Sequence, residues 1–147
     1  VLALSMVGCG AGGTGSAFNT KEEVLNYICE AYYTYGHGEK TANRDTTLDT
    51  LAADLITAAN QAEGKDVDDK LQSAAAGEKF DDCVYSYEIC TDLTTSVMKE
   101  YYLEGLRIEL KIKTNNADEI NIGAATGNIG DKTYIVVMAK VVTPSSH

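Results

Sequence analysis

The chain has no tryptophan, one proline, two phenylalanines and two histidines in 147 residues. The missing Trp removes any indole stacking platform, and a single Pro leaves few rigid turns. Of the two histidines, His37 sits in a polar stretch and His147 at the C-terminal end. Neither has Cys or His neighbours at zinc-ligand spacing, and no CxxC pair is present, so no metal or other cofactor is expected. Catalytic signatures are absent too. There is no GxSxG, HExxH, phosphate-binding loop or dinucleotide turn, and Ser86 and the cysteines have no nearby His to activate them. The chain therefore reads as non-enzymatic. Positive charge is also scarce: 12 basic against 22 acidic residues give a formal charge of −10. That balance repels phosphate backbones and excludes nucleic acid as a partner, while keeping a surface protein soluble.

What is present is an ordinary globular composition, 44% hydrophobic and 23% charged, in a length suited to one domain with a substantial core. The strongest pattern lies in residues 119–143, EINIGAATGNIGDKTYIVVMAKVVT. It reads as two strands around a turn carrying Gly127 and Gly130. On the second strand Ile135, Val137, Ala139 and Val141 point one way, and Tyr134, Val136, Met138 and Val142 the other. An antiparallel strand that is apolar on both faces must be covered on both, which predicts an α+β fold. The expected form is an α-β-α sandwich with a small, mainly antiparallel sheet of about four strands.

Residues 1–9, VLALSMVGC, resemble the end of a bacterial lipoprotein signal peptide, with Met6, Val7, Gly8 and Cys9 placed like a lipobox. The apolar run is too short to span a bilayer. The resemblance implies acylation of Cys9 and residues 1–8 as a signal remnant. The glycine-rich stretch within residues 10–19 has the composition of a flexible tether. A single domain is expected over 20–143, with a short tail at 144–147.

Within the domain, residues 20–23 form a capping box, Thr20 with Glu23. Val24, Leu25, Ile28, Ala31, Tyr32 and Tyr35 follow at helical spacing up to Gly36, and residues 36–44 read as a loop. A second helix runs from Thr47 to Gly64 with Leu48, Leu51, Ala52, Leu55 and Ala59 on one face, and a third over 67–76 is capped by Asp66. Residues 82–90 read as a strand, with Cys83, Tyr85, Tyr87 and Ile89 alternating against Val84, Ser86 and Glu88. A fourth helix, capped at Thr91 or Asp92 and burying Leu93, Val97, Met98, Tyr101 and Tyr102, is expected to stop at Gly105. Residues 106–112 then alternate apolar and charged side chains, the pattern of a half-buried strand.

If Cys9 is acylated, Cys29, Cys83 and Cys90 remain. Seven extended steps of roughly 3.3 Å would separate Cys83 from Cys90 by about 23 Å, and a disulfide needs Cα atoms within about 7 Å. Two alternatives stay open: Cys29 pairs with Cys83 or Cys90, pinning helix to sheet, or all three are buried thiols.

The order of elements over residues 78–142 resembles the second half of a CAP (SCP-like) domain, of the cysteine-rich secretory, antigen 5 and pathogenesis-related superfamily. Ser86, Glu88 and Ile89 stand where its first strand motif lies, and Lys99, Glu100 and Tyr101 fall on the following helix. Residues 105–110, 120–123 and 134–137 stand for its last three strands. The resemblance implies an α-β-α sandwich and a cleft built on two Glu and two His. Glu88 and Glu100 match the carboxylates, but Leu106 or Arg107 replaces one His and nothing replaces the other. Two carboxylates without imidazoles make a poor zinc site, so the implied cleft is degenerate.

Nine tyrosines, clustered at Tyr32, Tyr33 and Tyr35, at Tyr85 and Tyr87, and at Tyr101 and Tyr102, supply apolar area with polar tips. The expectation is a secreted, extracellular bacterial surface lipoprotein. A lipid on Cys9 would hold it to the cell membrane, and its domain would bind a protein partner, a cell-wall component or a small-molecule ligand. The alternative is a self-assembling structural subunit of a filament or surface layer, motivated by the apolar N-terminal segment on its tether.

Overall fold

The structure is a computed structural model, and residues 20–35, 41–94 and 97–142 are described. The expected signal remnant, lipobox Cys9, tether, both histidines and C-terminal tail lie outside the described residues.

Helix α1, Thr20–Tyr35, carries Glu22 and Glu23 in its first turn, where carboxylates meet the positive end of the helix dipole. It buries Val24, Leu25 and Ile28. Strand β1, Thr41–Arg44, follows, within the stretch expected as loop. Polar and only four residues long, it gives no alternating signal. It forms because Thr41 N–H donates to the Asp118 carbonyl at 2.7 Å and Asp45 N–H to the Ile122 carbonyl at 2.8 Å. Helix α2, Thr46–Gln61, starts where Asp45 Oδ1 accepts from the Thr47 N–H, and buries Leu48, Ala52, Leu55, Ile56 and Ala59. Helix α3, Val67–Ala75, is capped by Asp66, whose Oδ1 accepts from the Asp69 N–H at 2.9 Å. A short 3₁₀ turn, Glu78–Phe80, then leads into β2, Cys83–Ile89, and helix α4, Cys90–Thr94.

Two expectations fail next. Val97, Met98 and Tyr101 do not continue the buried line of Leu93: α4 ends at Thr94, a separate helix α5, Lys99–Lys113, begins after Met98, and these three side chains are exposed. Residues 106–112 are not a strand, because α5 runs through Gly105. Leu106 and Leu110 of that alternation also stand at helical spacing with Leu103, and these three are buried together with Arg107. Gly105 lies on the open side of the helix, with no atom within 4 Å of a built Cβ. A glycine there weakens the helix by about 1 kcal/mol but does not end it. The chain leaves α5 through Asn115 and Asn116, both left-handed (φ 58° and 56°), as asparagine tolerates.

The hairpin forms, with a shorter turn than expected: β3, Glu119–Ile129, pairs antiparallel with β4, Lys132–Val141, from Ile120↔Val141 to Ile129↔Lys132, and Gly127 lies within β3 opposite Tyr134 rather than in the turn. Gly130 at φ 71° opens the two-residue turn, the position that asks for glycine. Strand β2 pairs antiparallel with the other side of β4, and β1 parallel with β3, giving the order β1-β3-β4-β2.

Both sheet faces are covered, as the two-sided hydrophobicity of β4 requires. Ile135, Val137 and Ala139 pack with Ile120, Ile122, the leucines of α5 and the apolar side of α1. Val136 and Met138 pack with Ile129, α2, Leu71 of α3 and Phe80. The fold is α+β, an α-β-α sandwich on a four-stranded mixed sheet. Helix α2 sits unusually close to β3, since a Cβ at Gly123 would lie 2.4 Å from the Asp49 nitrogen. That approach lets Asp49 Oδ1 accept from the Ala124 N–H at 2.8 Å.

Candidate functional site

Strand β2 is an outer strand, and α5 crosses beside it. A groove of about 370 Å³ opens between them, lined by Tyr87 and Glu88 of the strand and by Tyr101, Tyr102, Glu104, Gly105, Leu106, Ile108 and Glu109 of the helix. This is the small end of ligand pockets, wide enough for the end of one side chain or a compact polar molecule.

The groove's carboxylates differ in how far the protein itself satisfies them. Glu104 accepts from the Tyr27 hydroxyl at 2.6 Å and is forked by Arg107, through Nε at 3.1 Å and Nη2 at 2.5 Å. The Arg107 hydrogen bonds hold its carboxyl below the usual range, despite an opposing effect of burial. Glu109 accepts from Ser86 Oγ at 2.7 Å and pairs with Lys113 at 3.2 Å. Glu88 makes no ion pair among the described residues. The Ile89 N–H donates to it over a long 3.4 Å. Burial first, and then a hydrogen bond with Asp92, push its carboxyl up to about 7. A half-buried acid whose charge is unmatched is a group that an incoming cation would stabilise.

Of the two cleft carboxylates expected from sequence, the structure places only Glu88 in the groove. Glu100 is exposed in the first turn of α5 and is absent from the lining. The acids that do share the groove are Glu104 and Glu109. Reading α5 as one helix through Gly105 would have found the surface, because Tyr101, Glu104, Gly105 and Ile108 recur at i, i+3, i+4 and i+7. The strand that the CAP resemblance places at residues 105–110 is helical here, whereas the α-β-α layering agrees with it.

Ser86 is fully buried and already donates to Glu109, so it presents no accessible hydroxyl. Of the two alternatives for the cysteines, neither holds in full: Cys29 is not paired with Cys83 or Cys90, and Cys29 and Cys83 are free thiols. They pack against opposite sides of the sheet, Cys29 on the α1 side and Cys83 on the α2 side, which keeps them apart. Burial raises both thiols above their ordinary range, which lowers their reactivity. Cys90 is disulfide-bonded. Among the described residues no group of three or more His, Cys, Asp or Glu is arranged to hold a metal ion, and no helix is long and apolar enough to cross a membrane.

No protein-family model, curated protein or solved structure matches this chain.

Proposed function

We propose that this chain is a non-enzymatic binding domain whose groove between β2 and α5 receives a cationic group, an amine or guanidinium, from a protein or cell-wall partner. The observation that carries the reading is Glu88: a half-buried carboxyl with no ion-pair partner among the described residues, in a groove that Tyr101 and Tyr102 also line. A cation seated there gains the carboxylate and, against the tyrosine faces, a cation–π contribution of about 0.5–2 kcal/mol. The net charge of −10 draws cationic partners toward the surface over a Debye length.

The test uses a short lysine peptide and its Nε-acetylated counterpart as probes, followed by tyrosine-resolved NMR titration. The reading expects the amine form to shift Tyr101 and Tyr102 resonances and the acetylated form not to. Equal binding of both peptides, or no shift at millimolar probe, refutes it.

The same proposal places the domain on the outer face of a bacterial membrane, held by a lipid on Cys9, in keeping with the lipobox-like sequence ahead of it. Intact mass of protein made in a bacterial host tests the anchoring: a chain starting at Cys9 with added diacylglycerol mass supports it, and an unacylated chain refutes it.

A further inference from the structure

Helix α5 is apolar on two sides. Leu103, Leu106 and Leu110 are buried against the sheet, yet Tyr101, Ile108 and Ile112 on the opposite side are 67%, 41% and 70% exposed. With Val97, 99% exposed, and Met98, they make five of the six exposed large apolar side chains among the described residues. A monomer rarely gathers its exposed apolar surface on one helix unless that face is covered by something.

We propose that a second copy of this chain covers it, through an antiparallel pairing of the two α5 helices about a two-fold axis. The stripe is self-complementary when reversed. Tyr101, Gly105, Ile108 and Ile112 map onto Ile112, Ile108, Gly105 and Tyr101, so that Tyr101 meets Ile112 and Ile108 meets the gap at Gly105. Gly105 provides the gap, since nothing lies within 4 Å of its built Cβ, and Ile108 of the other copy would enter it. At the end of the helix a shallow depression of about 470 Å³ is lined by Ile108, Lys111, Ile112, Asn115 and Asn116. The reversed register brings the protruding Tyr101 and Met98 of the other copy to this depression, once on each side of the axis.

Charge favours the same direction. Along one flank of the stripe the helix carries Glu100 and Glu104 near its start and Lys111 near its end. Antiparallel pairing sets Lys111 of each copy within about 3 Å, measured along the axis, of the level of Glu100 on the other. Parallel pairing would turn this flank toward the partner's other flank, so Glu100 and Lys111 of the two copies would not meet. A single helix pair buries less than a standard interface of roughly 1,600 Å², so the dimer is a reversible one, of micromolar or weaker affinity. Three of the four stripe residues, Tyr101, Gly105 and Ile108, also line the groove, so the dimer shares that wall with the groove reading; Ile112 and Lys111 lie outside the groove and Glu88 outside the stripe, which lets substitutions separate the two.

The experiment is sedimentation equilibrium on the full chain from about 10 μM to 1 mM. The dimer should appear within that range. The Ile112→Glu variant should weaken it at least tenfold, about 1.4 kcal/mol, without lowering the melting temperature of the monomer. Lys111→Glu should also weaken it, and Lys111→Glu combined with Glu100→Lys should restore it, which an adventitious hydrophobic contact would not do. A chain that stays monomeric at 1 mM overturns the proposal. So does a dimer indifferent to Ile112→Glu, or a double charge exchange that fails to rescue. If Ile112→Glu destabilises a strict monomer, the face is covered by the chain itself, which also overturns it. Loss of lysine-peptide binding in Glu88→Gln, with the dimer unchanged, would separate failure here from failure of the groove reading.

Discussion

Replacing Glu88 by Gln should stabilise the protein at alkaline pH and leave it unchanged in acid. Glu88 lies on the side of β2 facing α5, half-buried, and its carboxyl is raised from 4.5 to about 7, by burial first and by the hydrogen bond with Asp92 next. A raised folded-state value means that the folded protein keeps a proton that the unfolded chain has released. The contribution of Glu88 to stability is therefore highest below pH 4.5, falls as pH rises from 4.5 to 7, and levels off above that window. Each pH unit of that window is worth about 1.4 kcal/mol for a fully sheltered group. Glu88 is reached by solvent, so about 1–2 kcal/mol in total is expected after screening. Gln has the same shape and no charge to desolvate. Urea unfolding at pH 4, 6 and 8 should show Glu88→Gln equal to the wild type at pH 4 and about 1–2 kcal/mol more stable at pH 8. Affinity for the lysine peptide should move the other way, rising in the wild type as pH passes through 7 and staying flat in the variant. A variant less stable than the wild type at pH 8 would refute the reasoning. It would mean that the carboxylate serves as a required acceptor for the Ile89 N–H rather than as a charge held at a disadvantage.

Gly123→Ala should cost about 3 kcal/mol in chemical denaturation, because its Cβ would sit 2.4 Å from the Asp49 nitrogen and 2.5 Å from the Leu48 carbonyl carbon. Backbone atoms cannot rotate away, so α2 must lift from β3; a loss under about 1 kcal/mol would show that the helix is not held at that spacing. Gly105→Ala should do the reverse, adding about 0.5–1 kcal/mol by helix propensity at an interior position with open space around it. Destabilisation there, read from the same denaturation curves, would place Gly105 in a contact or conformation that the helix does not show.

The sequence made the sheet's core legible because the signal there is redundant. The β4 alternation is apolar on both faces, and only a layer on each side can accommodate that, so Ile135, Val137 and Ala139 facing one core and Val136 and Met138 facing the other follow from period two alone. The cap at Asp66 was legible for a similar reason: a short acceptor side chain before a helical period has one geometric use. Strand β1 was not, since a four-residue polar edge strand is specified by its pairing with β3 and not by any pattern of its own. The groove was half legible. Glu88 sits on a correctly read strand, but its helical wall was misassigned.

The misreading of α5 has a physical origin that bears on what the helix does. A strand reading puts Leu106, Ile108, Leu110 and Ile112 on one buried face. The helix instead divides them, burying Leu106 and Leu110 at 2% and 0% exposure and leaving Ile108 and Ile112 in solvent at 41% and 70%. A helix that packed on one side only would carry polar residues at 108 and 112, and its 3.6-residue period would have been plain. The alternating pattern arises because α5 has two apolar sides, and the sheet accounts for only one of them. The ambiguity in the sequence and the exposed stripe in the fold are thus the same fact. The spacing of Tyr101, Gly105, Ile108 and Ile112, which reads alike in both directions along the axis, favours a copy of the helix itself as the surface that resolves it.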